Sequence, residues 1–175
     1  VNIHNEFENT KINLLNELFS KVYETLKATI KTDDWEIKFH EITKITNGTN
    51  IIFSIKLTEY NGKNHDGNYI YYCIESQENG YDKIFFGLVR SNKEMDELNN
   101  DCFQDIVKES NYCKSWNKNK WWACYYEKFR DADDDLILKY LSNEKFISEI
   151  VKDICYDLEN LKDVLEKLNK KLIEK

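Results

Sequence analysis

The chain has no proline, only five glycines, one methionine and three histidines among its 175 residues. Without proline, Gly/Ser-rich stretches or internal repeats, nothing marks a linker or a domain boundary, so one unit spanning 1–175 is expected. The few glycines do not build a phosphate loop: neither G-x-x-x-x-G-K nor G-x-G-x-x-G occurs, and the G-x-S-x-G elbow is also missing. The usual carriers of nucleotide hydrolysis and serine-hydrolase chemistry are therefore lacking. His4, His40 and His65 lie far apart, and none is spaced with cysteine or carboxylate as a zinc site requires. His40 falls on the polar phase of a strand and is expected to face solvent. The five cysteines (73, 102, 113, 124 and 155) form an odd set with no C-x-x-C pair. Together with the lack of an apolar leader, this points to a reduced, cytoplasmic protein. No apolar run approaches the roughly 20 residues that span a bilayer, so no membrane partner is expected. The first residue is Val1 and helix-like sequence follows at once, which suggests a processed chain or a domain cut from a longer one.

What is present suffices for a core. With 41% hydrophobic residues, a chain of this length buries about 70% of its unfolded surface. Phe7, Leu14, Leu15, Leu18, Phe19, Val22, Leu26 and Ile30 recur at intervals of three and four, the stripe of an amphipathic helix over about 4–31. From Trp35 the period becomes two, and strands are expected over about 35–45, 50–60, 68–77 and 82–90. Asn-Gly pairs at 47–48, 61–62 and 79–80 favour the positive φ angles of tight turns and predict an antiparallel meander. Ser91 to Glu94 reads as a capping box that starts a helix carrying Met95, Leu98, Cys102, Phe103 and Ile106 inward. A fifth strand is expected over 121–129, and a short helix follows Asp131–Asp135. From Asn143 a long helix carries Ile147, Ile150, Ile154, Leu158, Leu161, Leu165, Leu168 and Leu172, with seam-like spacing. The expected fold is α+β, an antiparallel sheet of four to five strands packed against long N- and C-terminal helices. A homodimer through the C-terminal helix is the alternative cover for its seam.

Few groupings carry chemistry. Asp131, Asp133, Asp134 and Asp135 lack the glycine and glutamate of a calcium loop and suit the start of a helix instead. Asp66 and Glu75, followed by Gln77, stand where a metal-dependent nuclease would carry an aspartate and a Glu-x-Lys. Gln77 cannot supply the lysine's charge, so a Mg²⁺-dependent reaction at Asp66, Glu75 and Gln77 is only the alternative. No metal or cofactor is otherwise expected. The buried thiol is the expected state of the cysteines: Cys73 and Cys124 lie in strands, Cys102 and Cys155 on helix stripes.

The segment NKNKWWACYYEKF, residues 117–129, sets five aromatic rings among three lysines. Across 111–130, Lys114, Lys118, Lys120, Lys128 and Arg130 face the single Glu127, whereas the whole chain carries −7. Rings among cations suit a protein hot spot or stacked bases. The overall charge repels phosphate, so a protein partner is favoured over nucleic acid. Lys114, Trp116, Lys118, Lys120, Trp121 and Trp122 are the candidate contact residues. Strand alternation would put Trp121, Ala123 and Tyr125 on one face and Trp122, Cys124 and Tyr126 on the other, with at least one set in the core.

The order of YDKIFFGLVR (81–90), Lys114-Ser-Trp116, KWWACYY (120–126) and FISEI (146–150) resembles the carboxy-terminal portion of bacterial PD-(D/E)XK-superfamily nuclease-like proteins of restriction and phage-defence systems. The resemblance covers about half the chain. In such proteins the catalytic carboxylates precede this portion, and with no Glu-x-Lys here none can be carried over. The resemblance implies an accessory recognition domain beside a nuclease. The expected function is thus a non-catalytic interaction module, with a PD-(D/E)XK-type Mg²⁺-dependent nuclease or its remnant as the alternative.

Overall fold

The computed structural model describes residues 3–30, 33–44, 49–60, 67–77, 83–92, 97–130 and 134–174. Helix α1 spans Ile3–Thr29, followed by strands β1 (Trp35–Phe39), β2 (Asn50–Leu57), β3 (Ile70–Gln77) and β4 (Lys83–Arg90). Helix α2 (Asp101–Glu109), strand β5 (Trp122–Arg130) and helices α3 (Asp134–Leu141) and α4 (Glu144–Ile173) complete the chain. The strands lie in sequence order, β1-β2-β3-β4-β5, and every neighbouring pair is antiparallel. The expected antiparallel meander is present. The three Asn-Gly pairs lie outside the described residues.

The apolar stripes explain how the layers meet. From α1 come Leu15, Leu18, Phe19, Val22 and Leu26, and from α4 come Ile150, Ile154, Leu158, Leu161, Leu165 and Leu168. They form one core with Phe53, Ile55, Tyr72, Ile74, Phe86 and Leu88 of the sheet. Leu158, Leu161, Leu165 and Leu168 of the α4 seam are 0–2% exposed within a single chain and Leu172 is half-buried, so α1 and the sheet cover most of the seam without a second copy. No helix, among the described residues, is long and apolar enough to cross a membrane.

Strand β2 ends at Leu57 and not at about 60, where Thr58–Tyr60 form a 3-10 turn, and two further boundaries differ from the sequence reading because a side chain redirects the backbone. Strand β1 stops at Phe39 instead of continuing to about 45. The Asn16 amide accepts from Ile42 N–H at 2.8 Å and donates to Ile42 C=O at 2.9 Å, drawing that stretch onto α1. Of the helix expected from Ser91, Glu94 and Met95 lie outside the described residues, and helix α2 starts at Asp101, where the Asn100 side chain accepts from Cys102 N–H at 3.1 Å. The Ser91 hydroxyl instead accepts from Tyr69 N–H at 2.9 Å and donates to Gly67 C=O at 2.5 Å, tying the approach to β3.

A second cluster, Tyr71, Cys73, Phe85, Val89 and Trp122, is flanked by Tyr69, Trp121 and Tyr125 and contains no helical residue. It occupies the opposite face of the sheet. Gly87 makes this face close: a Cβ there would lie 2.2 Å from the Cys124 carbonyl oxygen and 2.7 Å from Tyr125 Cβ. Only a residue without a side chain lets β5 approach so nearly.

Candidate functional site

Asp157 lies at a seam phase of α4, three residues after Ile154 and four before Leu161, and is 2% exposed. A bare carboxylate there would be costly, and burial raises its pKa from the ordinary aspartate value. Three phenols oppose that shift by donating to it. Tyr72 of β3 donates to Oδ2 at 2.5 Å, Tyr126 of β5 donates to Oδ2 at 2.8 Å, and Tyr112, in the turn after α2, donates to Oδ1. Burial and the adjacent carboxylate raise the pKa values of all three tyrosines, so they remain protonated donors at neutral pH. One acid on α4 thereby fixes three rings from two strands and a turn.

Above this floor the rings form a cluster open to solvent. Trp116 stands edge-on to Tyr126 at 4.6 Å between centroids and 5.2 Å from Tyr112. Tyr156, 58% exposed, meets Tyr112 at 5.4 Å. Lys128 of β5 pairs with Asp153, one turn before Asp157 on α4. These seven residues line a cavity of about 370 Å³. Its loop wall is held by backbone bonds: Trp116 N–H donates to Cys113 C=O at 3.0 Å, and Asn117 exchanges bonds of 2.9 and 2.8 Å with Tyr125 along the edge of β5. Beneath the wall, a hydrogen bond from the Cys124 thiol lowers the pKa of Cys113, and that of Cys124 is raised by the same bond and by burial.

The candidate contact residues divide between the two faces. Trp116 joins the pocket, while Lys114 and Lys118 are exposed nearby in sequence, Lys114 donating to Asn111 at 3.3 Å. Trp121 belongs to the opposite face, with the Arg90 guanidinium 4.2 Å and the exposed Lys120 ammonium 5.1 Å from its ring. Trp122 is 2% exposed and offers no contact surface. The expected alternation fails by one position. A β4–β5 register shift between Leu88 and Val89 lets Trp122 face Val89 while Cys124 faces Leu88. Trp122 thus shares the second cluster with Trp121 and Tyr125, while Ala123, Cys124 and Tyr126 go to the helix side.

Of the alternative catalytic residues, Asp66 and the Gln77 side chain lie outside the described residues. Glu75 is 5% exposed on β3, opposite Phe85. Among the described residues, no group of three or more His, Cys, Asp or Glu converges as metal ligands. His40 is half-buried and not simply solvent-facing: its Nε2 meets Ser54 Oγ at 2.9 Å, and burial and Lys38 lower its pKa.

Asp157, Tyr72 and Tyr156 were not singled out from the sequence. The available signal was a polar residue at a buried phase of an otherwise apolar stripe. Asn169 carries the same signal: 3% exposed, it accepts from Ile70 N–H at 2.8 Å and donates to Ile70 C=O at 2.9 Å. No family model matches the chain, and no curated protein or solved structure matches it.

Proposed function

We propose that the protein is a non-catalytic recognition module that binds a protein partner at the Trp116 pocket. The observation that carries this reading is the half-exposed group of four rings, Tyr112, Trp116, Tyr126 and Tyr156, anchored by Asp157. Tryptophan and tyrosine dominate protein hot spots because they bring large contact area at low conformational cost. Rings already oriented by hydrogen bonds lose still less freedom on binding. Asp153 and Asp157 in the pocket, and a chain charge of −7, disfavour a phosphate backbone there. The resemblance to PD-(D/E)XK-superfamily proteins supports a place beside a nuclease of a restriction or phage-defence system. The test is capture of partners from the native cell by wild-type protein and by Trp116→Ala. Truncating a hot-spot tryptophan costs about 2 kcal/mol or more, so the specific partner should be lost. Identical capture by both forms would overturn the proposal.

A further inference from the structure

The geometry points to a cationic side chain, of lysine or arginine type, as the group that the partner inserts into the Trp116 pocket. This rests on the recognition reading above and names the chemistry of the contact. Four aromatic residues wall the cavity, and the faces of such rings attract cations within about 6 Å of their centroids. Electrostatics select the same sign. The three hydrogen-bond donors to Asp157 are neutral phenols, which orient its carboxylate without neutralising it, whereas Asp153 already holds Lys128. A buried carboxylate without a cation is costly, and an arriving positive charge offsets that cost.

The shape favours a tethered cation over a free one. The rim is exposed, with Tyr156 at 58% and the side chains of Asp153 and Lys128 at 43% and 29%. A free small molecule is normally enclosed over most of its surface, but a side chain projecting from a docked protein needs only such a cup. Lys128 acts in opposition, since its charge at the rim repels the incomer and occupies Asp153.

The experiment is an NMR titration of the ¹⁵N-labelled full chain, following the indole N–H of Trp116. The probes are Nα-acetyl-trimethyllysine amide, Nα-acetyl-arginine amide and the neutral tert-butyl isostere of the first. The cations are expected to shift the Trp116 signal saturably and to bind at least about tenfold tighter than the isostere. Tyr156→Ala, which removes an exposed ring, should weaken binding severalfold with the spectrum otherwise folded. Lys128→Met should strengthen it severalfold, an outcome that damage to the fold cannot imitate. Equal binding of cation and isostere, or no shift of Trp116 with any probe, would overturn the inference. Capture that still depends on Trp116 would then leave the recognition reading standing, so the two failures are distinguishable.

Discussion

The two faces of the sheet are built from the same strands but are held by different forces. On the helix-covered face, directional polar anchors lie inside the apolar core: Asp157 with Tyr72, Tyr112 and Tyr126, Asn169 with the backbone of Ile70, and Gln104, which donates to the carbonyls of Leu98 and Ala123 at 2.6 and 3.0 Å. On the other face, rings pack on rings and cations lie over them. Phe85 meets Tyr125 at 5.7 Å, Trp122 meets Tyr125 at 5.5 Å, and Arg90 lies over Trp121. Directional bonds specify where a ring must stand, and so can hold a cavity open beside Trp116. Around Trp122, 2% exposed, contact packing leaves no such space, because an unfilled gap forfeits its dispersion contacts; the cavity of about 280 Å³ on that face lies over β1–β3, among Glu36, Lys38, His40, Lys56, Tyr69 and Tyr71. The proposed recognition site therefore belongs to the first face, and the second contributes packing.

The largest effect that would break this division is expected at Trp122. Trp122→Ala should cost about 3–5 kcal/mol in urea unfolding, the range for an aromatic removed from a core, with no change in cation affinity for the folded fraction. A loss below about 1 kcal/mol would contradict a structural role for that face. Gly87→Ala comes next. Its added carbon meets backbone at 2.2 Å, so strands β4 and β5 must shift, and about 1–3 kcal/mol is expected.

Asp157 sharpens the comparison through pH. Its folded pKa is raised above the ordinary 3.8, so protonation favours the folded state. The sign follows: the stability of wild type relative to Asp157→Asn should grow as pH falls from neutral through the folded pKa towards 3.8, then level off. Tyr72, Tyr112, Tyr126, Asp153, Lys128 and Cys124 surround the group in both proteins, so their own titration largely cancels in the difference. Urea midpoints across that range would show it, and a gap that shrinks with acidification would mean a depressed pKa. The smallest stability effect belongs to Tyr156→Ala, within about 0.5 kcal/mol for an exposed side chain, although partner affinity should fall by about 2 kcal/mol. Equal effects on stability and affinity would make Tyr156 a packing residue.

The architecture was legible because most of its signals were periodic: three- and four-residue stripes gave α1 and α4, alternation gave β1 and β2, Asn-Gly pairs marked the meander and a run of aromatic residues marked β5. The exceptions were single side chains acting over long separations. Asn16 reaches Ile42 and ends β1 early, and Asn100 caps α2 where Ser91 had the stronger local pattern. The site was legible only in part. Trp116 stood out by its company, but the residues that place it come from β3, β5 and α4, and the bulge that sends Trp122 to the opposite face leaves no mark in a strand of consecutive aromatics. A carboxylate at a seam phase was the one readable trace of the Asp157 cluster.

The most direct measurement places the same photo-crosslinking aromatic residue, p-benzoylphenylalanine, at Tyr156 on the pocket rim or at Tyr69 on the opposite face, and irradiates cells that make the protein. Both positions keep an aromatic ring, so the comparison reads location and not the loss of a side chain. A discrete adduct to a partner at 156, suppressed by Trp116→Ala and missing at 69, is the predicted result. An adduct at 69 with none at 156 would contradict the assignment of recognition to the helix-covered face.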